Sequence, residues 1–202
     1  MKPHNPKERL ALMARKLYRR GWMEGTGGNL SLREGSTIFI TASGRAKGSL
    51  LTGDILEIPL TGDFPDSGEL RPSAETAIHR ALYGIFPETG AVLHVHTPEA
   101  VAVSEWEEAR LPLPPLEVLK GMGVADPSTL PTIPIFDNDL SVVNIARKIE
   151  ERLGGEKTQL PVLLIRHHGS TVWGRTLEEA HRHLELAEFC FRVMVTRGRR
   201  SR

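Results

Sequence analysis

Apolar positions recur along this chain with two periods, three to four residues in some stretches and two in others, and their alternation predicts a layered fold. Residues 6–20 place Leu10, Met13, Ala14 and Leu17 on one helical face among lysines and arginines, and Gly21 ends the segment. A glycine-rich turn at 24–28 leads into an alternating strand start at 29–32, and Glu34, Gly35 and Ser36 turn the chain into a second strand at 37–41. Further strands are expected at 55–60, 91–95, 132–136 and 161–166, with β structure resuming at 171–173. Ser73 is placed as the N-cap of a helix over 74–86 that buries Ile78, Ala81, Leu82 and Ile85. Thr97 caps a helix with Pro98 at its first position, and Asp137 or Asn138 caps one running to about Leu153, where Gly154 and Gly155 stop it. Thr176 and Glu179 form a capping box for the last helix, with Leu184, Ala187, Phe191 and Val195 inward, and residues 111–121 are a proline-stiffened passage. About five helices among short strands indicate an α/β or α+β domain, and the hairpins imply a sheet that is not purely parallel.

Composition narrows this picture. A chain of 202 residues with 40% apolar residues can bury one sizeable core, so a single domain over 1–202 is expected. A formal charge of +1 gives no reason to expect nucleic acid, and the basic residues 197–202 read as a solvated end. Cys190 is the lone cysteine and falls in an apolar helical pattern, which suits a small core residue and excludes an internal disulfide. No apolar run could span a bilayer and no secretory leader is evident, so a cytoplasmic protein without membrane partners is expected.

Chemistry concentrates at strand ends. His94 and His96 stand two apart at the end of the apolar run 91–95, so their imidazoles share a face. A catalytic zinc takes three protein ligands and keeps one position open. The strand at 161–166 runs into His167, His168 and Gly169; His168 is the expected third ligand, because the following glycine frees the backbone to turn its ring inward while His167 alternates outward. His4, His181 and His183 read as solvent groups. Gly27, Gly28 and Asn29 in one loop and Ser43 and Gly44 in another, with Arg45 and Lys47 adding charge, could hold an anion such as phosphate. Taken alone, Glu75 is an acid favouring a helix dipole, sharing a face with His79, and Glu117 and Lys120 are solvated charges.

Gly27-Gly-Asn-Leu-Ser31, Thr41-Ala-Ser-Gly44, Ser73 with Glu75 and His79, His94-Val-His96 and His168-Gly169 together resemble, in order, the motifs of the class II zinc-dependent sugar-phosphate aldolases and adducin heads. The resemblance spans nearly the whole chain. It implies a three-layer α/β/α sandwich around a mixed, largely antiparallel sheet, a phosphate held by Gly28, Asn29, Ser43, Gly44 and Ser73, and one zinc per subunit on His94, His96 and His168. It also implies a homotetramer with sites at subunit interfaces. Within that superfamily, Glu117, Lys120 and Gly121, and the passage from Arg166 to Gly174, are similar to segments of the methylthioribulose-1-phosphate dehydratases of methionine salvage. That likeness implies Glu117 as catalytic acid/base. Aldolases or epimerases of fuculose-, rhamnulose- or ribulose-phosphate type, in which the acid matching Glu75 handles protons, and a non-catalytic adducin-like module are the alternatives.

Overall fold

The structure, a computed structural model, describes residues 5–64, 68–155 and 160–198; the expectations for His4 and for residues 199–202 lie outside them. Helix α1 (Pro6–Arg19) is capped by Asn5, whose side chain accepts from the Lys7 amide, and buries Leu10, Ala11, Ala14 and Leu17. Strands β1 (Asn29–Glu34), β2 (Thr37–Thr41) and β3 (Ile55–Pro59) form an antiparallel meander. Helix α2 (Thr76–Ile85) precedes β4 (Ala91–Val95), which runs through Thr97, the N-cap, into α3 (Pro98–Ser104). A short β5 (Arg110–Pro112), a 3₁₀ segment at Glu117–Met122, β6 (Thr132–Phe136) and α4 (Val142–Leu153) follow. The hairpin of β7 (Val162–Ile165) and β8 (Gly169–Gly174) leads to α5 (Leu177–Arg197).

The eight strands form one sheet in the order β3-β2-β1-β4-β8-β7-β6-β5. Only β6 and β7 are parallel neighbours, joined by the crossover through α4, so the sheet is mixed and largely antiparallel. Side-chain alternation divides the apolar residues between its faces. Leu93 and Val95 of β4 and Val162 and Leu164 of β7 pack with α1, α3 and α5, while Val92, Leu163 and Ile165 pack with α2 and α4. This gives the expected three layers, with a core on each side of the sheet.

Several boundaries differ from the sequence pattern. Helix α2 begins at Thr76 and not Ala74: Ser73 shapes the turn before it, its carbonyl accepting from the Thr76 amide at 3.1 Å and its Oγ from the Glu75 amide at 3.3 Å. The N-cap of α4 is Ser141, because the Asp139 carboxylate accepts from the Ser141 amide at 2.9 Å and holds residues 137–140 in a turn. Val195 is exposed on α5 and Met194 takes the buried position, since a helical turn of 3.6 residues carries the inward face from Phe191 to 194. His181 and His183 are buried, correcting their reading as solvent groups. His183 Nδ1 donates to the Trp173 carbonyl at 2.7 Å, and His181 Nδ1 meets Glu185 at 3.3 Å. Strand β5 ends on Pro112, with Pro114 and Pro115 just beyond it, and falls at the sheet edge, where a missing N–H costs little.

Candidate active site

Strand register assembles the site. Asn29 of β1, His94 of β4 and Thr171 of β8 are direct cross-strand partners, so their side chains form one rung on the face toward α2. Thr171 Oγ1 lies 2.9 Å from His94 Nδ1, which fixes the ring and leaves Nε2 facing outward along the rung. His96, just past the end of β4, is anchored by its amide donating to the Trp22 carbonyl at 3.1 Å. Its Nε2 sits 2.8 Å from His94 Nε2.

His168 enters from the β7–β8 turn, its Nε2 3.4 Å from that of His94. The inward turn is made by His167, which adopts φ 54, while Gly169 has a different purpose from the one expected: a Cβ there would stand 2.1 Å from the Val95 carbonyl oxygen. His167 points away, its Nδ1 3.1 Å from Glu105. Glu75, on the last residue before α2, completes the group, with Oε1 2.7 Å from His168 Nε2 and 3.2 Å from His94 Nε2. Its position just before a helix therefore serves the cluster, where sequence position alone suggested a dipole acid.

Three imidazole nitrogens and a carboxylate oxygen thus lie within 4.8 Å of one another. Zinc bonds of about 2.0–2.1 Å in a tetrahedron place neighbouring donors roughly 3.3 Å apart, and the observed separations bracket that span. Lone pairs converging this closely repel unless a cation lies among them, so the donor set fits a divalent metal. Burial first, then the neighbouring charges of His94 and His168, lower His96 to about 3, so this ring is neutral and able to ligate. For Glu75, burial works upward, but its interactions and hydrogen bonds with His94 and His168 outweigh it and hold the carboxyl well below the usual range.

The two glycine-bearing loops lie beside this group. Gly28 adopts φ +70 and Gly44 φ +69. A bridge between Ala42 and Pro72, with the Ser43 amide donating to the Arg71 carbonyl at 2.9 Å, sets the second loop beside Ser73. The Ser43 amide is therefore committed, and its exposed hydroxyl is what it can offer a ligand. Asn29 is buried; its Nδ2 donates to Glu75, and its Oδ1 has no protein partner. Gly27 lies so close to His96 that a Cβ would stand 2.8 Å from its Nδ1.

Glu117 does not join the cluster. Its side chain is 81% exposed and pairs with Lys120 Nζ at 2.8 Å. His79, one turn after Glu75, is fully buried behind the site, with Nδ1 2.6 Å from Ser31 Oγ, which in turn meets the Tyr83 hydroxyl at 2.7 Å.

One residue escaped the sequence reading, and the burial of another was not expected. Glu188 on α5 is buried and accepts from Thr97 Oγ1 at 2.6 Å and Ser170 Oγ at 2.8 Å, joining the segments that follow His96 and His168. It stands one turn from Leu184 and Phe191 in the inward stripe, a signal present in the helical period. Lys47, read as loop charge, is 1% exposed.

The profile of the Class II Aldolase and Adducin N-terminal domain family matches residues 8–195. The chain is 43% identical over 195 residues to methylthioribulose-1-phosphate dehydratase of Microcystis aeruginosa, covering 95% of each. It is 40% identical over 189 residues to the enzyme of that name from Leptospira biflexa, covering 88% of this chain and 90% of the relative. Among solved structures, L-fuculose-1-phosphate aldolase from Thermus thermophilus superimposes with a TM-score of 0.74 at 26% identity, covering 95% of this chain and 96% of that one.

Proposed function

The chain belongs to the Class II Aldolase and Adducin N-terminal domain family, and from that membership we propose that it is a metal-dependent hydro-lyase. Its substrate is 5-methylthioribulose 1-phosphate and its product the 2,3-diketo-5-methylthiopentyl 1-phosphate, a step of methionine salvage. The observation that carries this reading is the likeness to the dehydratases over nearly the full length of both chains. It is supported by a cluster whose donors suit a metal.

His94, His96 and His168 would hold one zinc per subunit, with Glu75 beside it. When bound, the metal supplies Lewis acidity toward the carbonyl oxygen at carbon 2. Gly28, Asn29, Ser43, Gly44 and Ser73 hold the phosphate, so that binding far from the reacting carbons orients them. A base removes the carbon 3 proton. Glu117 then donates a proton to the carbon 4 hydroxyl, which leaves as water, and the resulting enol takes up a proton at carbon 4 to give the diketone.

One chain does not bring Glu117 to its own cluster, and its exposure suits a homotetramer in which a neighbouring subunit supplies it. Residues 1–202 act in this reading as one domain, in the cytoplasm; among the described residues no helix is long and apolar enough to cross a membrane. A second reading, aldol cleavage of a sugar phosphate, is favoured by the place of Glu75 against the imidazoles. Incubating the zinc-loaded protein with methylthioribulose 1-phosphate and following diketone release decides between them. Turnover should be lost together with zinc in His96→Ala, whereas cleavage of fuculose 1-phosphate without diketone formation would favour the aldolase.

A further inference from the structure

Among the described residues, Lys47 is the one lysine buried completely enough to appear among the largest enclosed side chains. Its Nζ donates to the Thr26 carbonyl at 2.8 Å and the Arg45 carbonyl at 2.9 Å. Thr26 immediately precedes Gly27 and Gly28, and Arg45 immediately follows Gly44, so a single ammonium ties together the two loops assigned to the phosphate. Both acceptors are neutral. Among the described residues no carboxylate lies within ion-pair distance of Nζ, although an ammonium has three protons to give. Arg45, the other cation of this loop, is half-exposed and meets Asp54 at 3.4 Å.

A buried charge normally has a counter-charge, since removing an ion from water costs several kcal/mol. Glu75 is near enough for its charge to be felt at Lys47, but that carboxylate is engaged by His94, His168 and Asn29. The enclosed cation therefore lacks a committed partner, at the one place where two anion-binding loops meet. We propose that Lys47 is the counter-cation of the substrate's phosphate, holding both loops in register and supplying the positive charge that the dianion meets on entering.

This rests on the assignment of the loops to phosphate, and the experiment separates the two. The zinc-loaded enzyme is titrated with inorganic phosphate at constant ionic strength while its melting temperature is followed, and KM for the sugar phosphate is measured. Any direct contact of phosphate with the metal is common to all variants. Wild type and Lys47→Arg should be stabilised by phosphate, whereas Lys47→Met should lose that response and show a KM raised about tenfold or more. Lys47→Met also removes the hydrogen bonds to the Thr26 and Arg45 carbonyls, so in phosphate-free buffer it should melt below wild type whatever the role of the charge. A purely structural clamp predicts that fall with the phosphate response intact, which would overturn the proposal. Should the Met variant not fold, Lys47→Gln must lose the response that Lys47→Arg keeps; equal responses overturn it. Wild-type enzyme that is indifferent to phosphate yet turns over substrate would remove the loop assignment itself, and the role of Lys47 with it.

Discussion

At the scale of single residues, two carboxylates compete for the proton chemistry. Glu117→Gln keeps size and polarity but cannot exchange a proton, so turnover should fall by about 10² or more with zinc content unchanged. A Glu75→Gln variant that loses turnover while Glu117→Gln stays near wild type would instead place the proton steps beside the metal, as aldol chemistry requires. Glu188 offers a different test. Burial raises its carboxyl to about 7, against the opposing effect of the Thr97 and Ser170 hydroxyls. The folded-state value lies above the unfolded one, so ionisation opposes folding: the penalty is absent well below pH 4.5, grows between 4.5 and 7, and is complete above. In chelator-treated protein, Glu188→Gln should therefore gain stability over wild type as pH rises from 5 to 8, by up to roughly 3 kcal/mol. Melting curves that shift in parallel across that range would show the acid to be unperturbed.

At the scale of elements, most of the site was legible because strand ends announce themselves. His94 and His96 stand two apart at the end of one apolar run and His168 lies just past another, so the three imidazoles that converge could be placed together without coordinates. What pattern could not supply was lateral register. Nothing in the linear sequence sets Thr171 beside His94, or Asn29 on its other side, since those pairings are made between strands distant in the chain. Helix starts were missed for a related reason: Ser73 and Asp139 satisfy backbone amides in turns just before the helices, which resembles capping in sequence. Lys47 was legible as loop charge and Glu75 as a helix-dipole acid, but their burial was not, because burial is a property of the assembled layers. The β7–β8 turn makes a prediction of its own. Gly169→Ala would drive a methyl group against the Val95 carbonyl, so about 1–3 kcal/mol of stability should be lost, with weakened zinc retention through displaced His168. Chelator competition and thermal melts read the two effects separately, and a variant as stable and as metal-tight as wild type would show that the strands can part freely. For the second loop, Ser43→Asp should repel the dianion and raise KM; unchanged kinetics would make it a structural turn.

At the scale of the whole molecule, one chain presents a cluster of donors suited to a metal and an exposed acid that do not meet within it. Glu117 stands on the 3₁₀ segment beside α5, where Gly121 packs against Leu186, and α5 also exposes Phe189 and Val195. An exposed acid on a segment packed against a helix with uncovered apolar side chains is suited to delivery across an interface between copies. Complementation tests this directly. His96→Ala subunits keep Glu117 but lack the metal site, and Glu117→Gln subunits keep the metal site but lack the acid, so each should be inactive alone. If the acid comes from a neighbour, randomly mixed subunits place an intact cluster opposite an intact acid at about a quarter of the sites, and activity of that order should return. If each subunit instead folded its own Glu117 onto its own cluster, no mixture could restore both groups to one site. Activity that stays at the level of the parents, in hybrids shown by mass to be mixed, would therefore exclude the interfacial arrangement while leaving the chemistry assigned to Glu117 untouched.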